Sequence, residues 1–254
     1  MRIAITRAIS PAFANCELTH LQRQPIDVEV ACEQHRRYEE ALWSLGCELQ
    51  TLPAEPGLPD SVFVEDTAIV LDDIAVMTRP GAASRQPETP TVAAALEPYR
   101  LLLRLEPPAT MDGGDVLRIG RALFVGRTQR TNQAGIEQLR AMLAPYDYTV
   151  TAVAVKGCLH LKSGVTLVAP ETLLLNSRWV DPRPFGARQL IEVAGTEPGA
   201  ANGLLVGDML VYPTNFPATR RRLEERNVRV RLVDVSEIQK AEGAVTCCSL
   251  VFDT

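Results

Sequence analysis

The chain has 254 residues, 46% of them hydrophobic and 22% charged, which are ordinary globular proportions and exclude an extended disordered or fibrous protein. At this length roughly three quarters of the unfolded surface can be buried, so a sizeable core needs no disulfide or metal staple. The formal net charge of -5 supplies no basic field for phosphate backbones, and nucleic acid is excluded as the main partner.

The opening run Met1 to Arg7 is too short for a signal peptide. No stretch approaches the ~20 apolar residues of a membrane span, so no membrane partner and a cytoplasmic location are expected. Arg220, Arg221 and Arg222 share a helix-like stretch with Glu224 and Glu225, which reads as a solvated mixed face. Cys16, Cys32, Cys47, Cys158, Cys247 and Cys248 form no Cys-x-x-Cys pair and no zinc spacing, consistent with reduced thiols and no metal.

In chain order, Arg2 to Ile5 reads as a strand. Residues 10–26 follow, polar, irregular and long for a connector, either a lid over a site or a plain surface loop. A helix over Val28 to Leu45, stopped by Gly46, leads to strand Glu48 to Leu52. From there one order recurs: two short strands, a helix and a third strand.

The first copy has Val62 to Val70 and Ile74 to Met77 around Asp72-Asp73, a helix near Glu88 to Glu97, and strand Leu101 to Leu105. The second runs Val116 to Ile119, Ala122 to Gly126, helix Asn132 to Leu143 and strand Tyr148 to Val155. In the third, Val165 to Val168 and Thr172 to Leu175 precede a Pro-rich, poorly helical segment at 182–187 and strand Gln189 to Val193. The fourth has Leu204 to Val206, Met209 to Tyr212, helix Pro217 to Arg226 and strand Val228 to Val235. Strand Thr246 to Phe252 then joins the N-terminal elements as a fifth unit, so the termini close a ring. The expected fold is a five-bladed α/β propeller of pseudo-fivefold ββαβ modules, a single domain over 1–254; an α/β sandwich with mixed sheets is the alternative.

Reactive side chains fall at successive hairpin entrances: Asp60, Glu65 and Asp66, then Asp112, then His160, then Cys247. Fivefold symmetry brings such entrances together on one face, a common way to assemble a site. Singly, each has a plainer reading. Asp112-Gly113-Gly114-Asp115 suits a turn, His160 suits a satisfied core histidine, and spacing does not choose between Cys247 and Cys248.

Several segments resemble the dimethylarginine dimethylaminohydrolases, of the guanidino-group modifying superfamily. They are Leu-Pro-Asp-Ser-Val-Phe-Val-Glu-Asp at 58–66, Thr-Arg-Pro-Gly-Ala-Ala-Ser-Arg at 78–85, Met-Asp-Gly-Gly-Asp-Val-Leu at 111–117, Arg-Thr-Asn-Gln at 130–133, Leu-His-Leu-Lys-Ser at 159–163, Ala-Ala-Asn at 200–202 and Thr-Cys-Cys-Ser at 246–249. The resemblance runs nearly end to end and implies the five-bladed propeller. It makes Cys247 the nucleophile and His160 the acid and base, with Asp112 and Asp66 holding the guanidinium. Several relatives carry glutamate where this chain has Asp112. Arg85 and Arg130 are expected to grip the substrate α-carboxylate, a task suited to the guanidinium fork. Asp60 is expected to meet the α-amino group, Glu65 to line the guanidinium side, and Leu18 and Ala241 to bind through backbone groups.

A guanidinium carbon is a poor electrophile because resonance spreads its charge, so carboxylates must localise that charge while a thiolate attacks. A free cysteine, with pKa near ~8.5, is mostly thiol at pH 7, and a bound cation beside it favours the thiolate. The implied reaction converts methylated arginine to citrulline and an amine through an S-alkylthiouronium, without cofactor or metal. The partner is a small molecule, and the chain is expected to be a monomer or homodimer. The competing readings are an arginine deiminase, which usually carries an extra helical insertion, an amidinotransferase, and a non-catalytic propeller with an acidic pocket.

Overall fold

Five times around the ring, the chain builds a three-stranded sheet with the same pairing: the middle strand is antiparallel to one neighbour and parallel to the other. A computed structural model describes residues 1–254. The elements are β1 (Arg2–Arg7), α1 (Val28–Ser44), β2 (Cys47–Leu52), β3 (Ala68–Val70), β4 (Ile74–Met77), α2 (Thr89–Leu96) and β5 (Leu101–Arg104). There follow β6 (Val116–Ile119), β7 (Ala122–Arg127), α3 (Gln133–Leu143), β8 (Thr149–Ala154), the one-turn α4 (Leu161–Gly164), β9 (Val165–Ala169), β10 (Thr172–Leu175) and β11 (Gln189–Glu192). The last are β12 (Leu204–Val206), β13 (Met209–Pro213), α5 (Pro217–Glu224), β14 (Arg229–Val233), the short α6 (Ser236–Gln239) and β15 (Leu250–Asp253).

The fifth sheet, in the order β15-β1-β2, unites the two ends of the chain. Ile3 pairs with Phe252 and Ile5 with Leu250, and Arg2 Nε lies 3.0 Å from Asp253 Oδ1. The apolar core lies largely between neighbouring units rather than at one centre. Ile69, Ile74 and Val76 of the first unit, for example, pack with Val116, Leu123 and Ile136 of the second. At roughly 1.5–3 kcal/mol per large apolar side chain buried, such contacts hold each blade to the next.

Local sequence explains the crossovers. In α1, Ala31, Gln34, His35, Tyr38, Ala41 and Leu42 face inward at helical spacing, Asp27 caps the start by accepting from the Val30 N–H, and Gly46 at φ +85° turns the chain out. In the third unit Pro182, Pro184 and Gly186 permit only a 3-10 turn, Arg183–Phe185, whose Phe185 ring packs 4.8 Å from that of Phe124.

Two expected strands begin later than their apolar pattern suggests. In the first unit Val64–Thr67 is a 3-10 turn and the strand starts at Ala68; in the fifth, the chain before Leu250 is turn rather than strand. Val62, Phe63 and Val64 are buried, but the Phe63 N–H bonds to Asp60 C=O at 2.9 Å and the Asp66 N–H to Phe63 C=O at 3.2 Å, so the segment curls. Such turns recur at hairpin entrances, as Gly113–Asp115 and as α4. No helix is long and apolar enough to cross a membrane.

Candidate active site

The entrance turns bring the expected residues together. One small cavity, of about 20 Å³, is lined by Glu17, Asp60, Phe63, Asp66, Arg85, Arg130, Leu159, His160, Ala241, Glu242, Gly243 and Cys247. It therefore joins a sulfur near the end of the chain, an imidazole from its middle and carboxylates from its first half.

His160 caps the start of α4 with an extended backbone, and its Nε2 lies 3.0 Å from Asp112 Oδ2. Its Nδ1 is 3.9 Å from Asp66 Oδ1. The imidazole thus sits between two buried carboxylates. Burial alone would lower its pKa, but Asp66, Asp112 and Asp115 together push it up to about 9, so it holds its proton at neutral pH. The ligand-type atoms of Asp66, Asp112 and His160 lie within 4.8 Å of one another. A cation would compete there with the proton that His160 already carries.

Asp112 was expected to face the guanidinium beside Asp66. The structure instead turns it behind His160: Oδ1 accepts from the Gly81 N–H at 2.8 Å, Oδ2 meets the imidazole, and the residue is fully buried away from the cavity. Asp66 does line the cavity, its Oδ1 accepting from the Gly114 N–H at 3.0 Å and its Oδ2 from Arg85 Nη1 at 2.6 Å. Burial would raise its pKa, but His160 and Arg85 outweigh that and hold it low, ionised throughout the neutral range.

Arg85, expected to grip a carboxylate, is largely engaged within the protein. Nε and Nη2 donate to Glu88 at 3.1 and 2.9 Å, Nη2 also reaches the C=O groups of Asp60 and Phe63, and Nη1 meets Asp66. One Nη1 hydrogen remains without a protein acceptor. Arg130 is more available: Nη2 donates to Thr19 Oγ1 at 3.0 Å, and Nη1 lies 3.8 Å from Asp112 Oδ2. Asp60 accepts from the Glu17 N–H at 3.0 Å through Oδ2, and burial raises its pKa against the pull of Arg85.

Glu65 points away from the catalytic cavity. Oε1 is 2.5 Å from Lys162 Nζ and Oε2 accepts from Thr246 Oγ1 at 2.8 Å, and the pair lines a larger hollow of about 360 Å³ at the ring axis. Its backbone nonetheless braces that of Cys247, the Glu65 N–H donating to Cys247 C=O at 3.2 Å. Ala241 lines the catalytic cavity, whereas Leu18 packs on the apolar cluster beside it and its neighbour Glu17 faces in.

Cys247 is buried, and burial together with Glu65, Asp66 and Cys248 pushes its thiol well above the ordinary range. By itself it is a thiol, not a thiolate. Cys248 points away, its Sγ 3.7 Å from Ala244 C=O, and it is absent from the cavity wall. Spacing leaves the two thiols equivalent, and of the two only Cys247 lines the cavity.

Two further acids, Glu88 and Asp115, support the site from behind. Glu88 clamps Arg85 from three residues on, and burial holds its carboxyl at about 7 despite Arg85. Asp115, raised by burial to about 6, accepts from Thr128 and Thr131 hydroxyls at 2.6 and 2.7 Å and from the Leu161 N–H at 2.9 Å, fixing the backbone beside His160. The i,i+3 spacing of Arg85 and Glu88 and the second aspartate of Asp-Gly-Gly-Asp were the available signals.

No protein-family model matches the chain. It is 40% identical over 248 residues to N(G),N(G)-dimethylarginine dimethylaminohydrolase of Streptomyces coelicolor, covering 97% of this chain and 95% of that one. Among solved structures, a cysteine-to-serine variant of the Pseudomonas aeruginosa enzyme complexed with citrulline superposes with a TM-score of 0.94 at 32% identity, over 98% of each chain. A histidine-to-glycine variant of dimethylarginine dimethylaminohydrolase, as an adduct with S-methyl-L-thiocitrulline, gives 0.95 at 32% identity, over 99% of this chain and all of that one. On this likeness, nearly end to end in sequence and fold, the chain belongs to the dimethylarginine dimethylaminohydrolase family.

Proposed function

We propose that the residues meeting in this cavity hydrolyse Nω-methylated arginine to citrulline and a methylamine, with Cys247 as nucleophile and His160 as acid and base. The supporting observation is the joint lining of one cavity by Cys247, His160 and Asp66.

Each group has a step its environment suits. Asp66, ionised and aimed by Arg85 and the Gly114 N–H, localises the guanidinium charge. The bound cation beside Cys247 reverses the balance of charge that keeps the sulfur protonated, so the thiol releases its proton to solvent and the substrate promotes its own thiolate. The thiolate adds to the guanidinium carbon. His160, protonated and held by Asp112 through Nε2, donates a proton to the departing amine as the C–N bond breaks, leaving an S-alkylthiouronium. It then takes a proton from the water that adds to this carbon, the C–S bond breaks, and citrulline and thiolate result.

At the other end of the substrate, Arg130 and the remaining Nη1 hydrogen of Arg85 meet the α-carboxylate, Asp60 the α-ammonium, and the backbone groups of Leu18 and Ala241 complete the contact. Glu65, tied to Lys162, supports the Cys247 turn from behind.

The test is citrulline release from asymmetric dimethylarginine, monomethylarginine and arginine by the purified protein. Turnover of the methylated substrates ahead of arginine is expected. Preference for arginine supports a deiminase, and no citrulline from any guanidine supports a non-catalytic propeller.

A further inference from the structure

Residues 16–21 touch the cavity at three points, and the third has no part in the chemistry described above. The Glu17 N–H binds Asp60, and Thr19 Oγ1 receives Arg130. The third is Glu242, whose carboxylate accepts three consecutive backbone N–H groups: Thr19 at 2.9 Å to Oε2, and His20 and Leu21 at 2.5 Å each to Oε1. A run of successive amides converging on one anion is a backbone nest, here on the protein's own side chain. Leu18 lies in this stretch, flanked by the first two tethers and immediately before the nest.

The other side of the contact is built to aim that carboxylate. Glu242 has φ +59°, in the left-handed region that side chains other than glycine, asparagine and aspartate rarely adopt. The next residue permits no side chain, since a Cβ on Gly243 would lie 2.3 Å from Phe63 Cε1. Phe63 in turn packs edge-on against Phe13, at the root of the same loop. A strained backbone at the rim of a site, fixed by packing and pointing an acid at an irregular loop, marks a functional position. Glu242 also stands between the catalytic cavity and a neighbouring hollow of about 530 Å³, lining both, and His20 and Leu21 line the outer one.

We infer that Glu242 is a positioning residue: its carboxylate catches the backbone of Thr19, His20 and Leu21, closes residues 16–21 over the substrate, and sets Leu18 for its contact. Substrate enters when this catch releases, because residues 16–21 are tied to Asp60, Arg130 and Glu242, all of which line the cavity. Glu242 takes no part in proton transfer or in attack on carbon. The inference rests on the proposed hydrolysis for its kinetic consequence, though not for its structural one.

Glu242→Gly removes the carboxylate and relieves the left-handed strain, so it separates the catch from the fold. In this variant, amide hydrogen exchange at residues 19–21 should accelerate about tenfold or more, with the melting temperature unchanged or raised. KM for asymmetric dimethylarginine should rise about tenfold while kcat stays within about threefold, the split expected when binding rather than the chemical step is lost. Glu242→Gln, which keeps the length and one carbonyl oxygen, should restore part of both and serves alone if the glycine variant folds poorly. Unchanged exchange at residues 19–21 together with unchanged KM in these variants overturns the assignment. If the unsubstituted protein releases no citrulline, the proposed reaction fails while the exchange measurement still decides the catch.

Discussion

Asp112 and His160 are 48 residues apart in sequence, yet Oδ2 of the first lies 3.0 Å from Nε2 of the second, and the aspartate has no solvent exposure. A hydrogen bond between a buried carboxylate and an imidazole favours the protonated ring, so this contact orients the His160 imidazole and, with Asp66 and Asp115, favours its charged form.

The pH dependence follows from that charge. His160 is raised in the folded chain from 6.5 to about 9, against burial and because of Asp66, Asp112 and Asp115. A raised folded value contributes stability that is complete below about pH 6.5 and lost as pH rises through about 9. The acid role fades over the same upper range, so kcat/KM for dimethylarginine should fall above about pH 9. In Asp112→Asn the alkaline limb should move down by about one pH unit or more, since one stabilising carboxylate is gone. A pH-rate profile with an unmoved limb contradicts the pairing.

Gly114 is required by its neighbours rather than by its own conformation. A Cβ there would lie 2.6 Å from His160 Nδ1 and 2.8 Å from Asp66 Oδ1, wedging the acid from the carboxylate beside it. Gly114→Ala should lower kcat by about a hundredfold, the scale of a misplacement near 1 Å, while circular dichroism and melting show a folded chain. Wild-type kcat in that variant means that the His160 and Asp66 positions tolerate displacement.

Lys162 and Glu65 form an ion pair of structural importance, with Nζ 2.5 Å from Oε1 and both groups largely buried. Lys162→Met leaves a buried carboxylate without its cation and should destabilise the fold by about 3 kcal/mol, whereas adding Glu65→Gln should recover much of that loss. Chemical denaturation of the single and double variants measures it. Equal stability of Lys162→Met and the parent chain means that the pair contributes nothing.

The ring was legible because five hairpins recur and the termini complement each other, as Arg2 opposite Asp253 illustrates. Residue types at the hairpin entrances pointed to the cavity, and Cys247, His160 and Asp66 do line it. What sequence alone misjudged is direction. The buried run Val62 to Val64 looks like a strand, but it curls, and only that turn carries Glu65 and Asp66 inward. Asp112 and Arg85 each have protein partners, His160 and Glu88 among them, that residue type alone does not announce. The partnership of Asp112 with His160 depends on a contact between turns on different blades, which no local pattern encodes. The tether between Glu242 and the Thr19 to Leu21 amides was invisible for the same reason, being made to backbone N–H groups common to every sequence.

The proposed reaction passes through a covalent bond to one sulfur. Acid-quenched mixtures of the protein with asymmetric dimethylarginine, digested and analysed by mass spectrometry, should carry the thiouronium adduct on Cys247 and not on Cys248. Cys247→Ser should form no adduct and no citrulline while still binding the substrate. Citrulline release at the full rate by Cys247→Ser, or an adduct borne by Cys248, contradicts it.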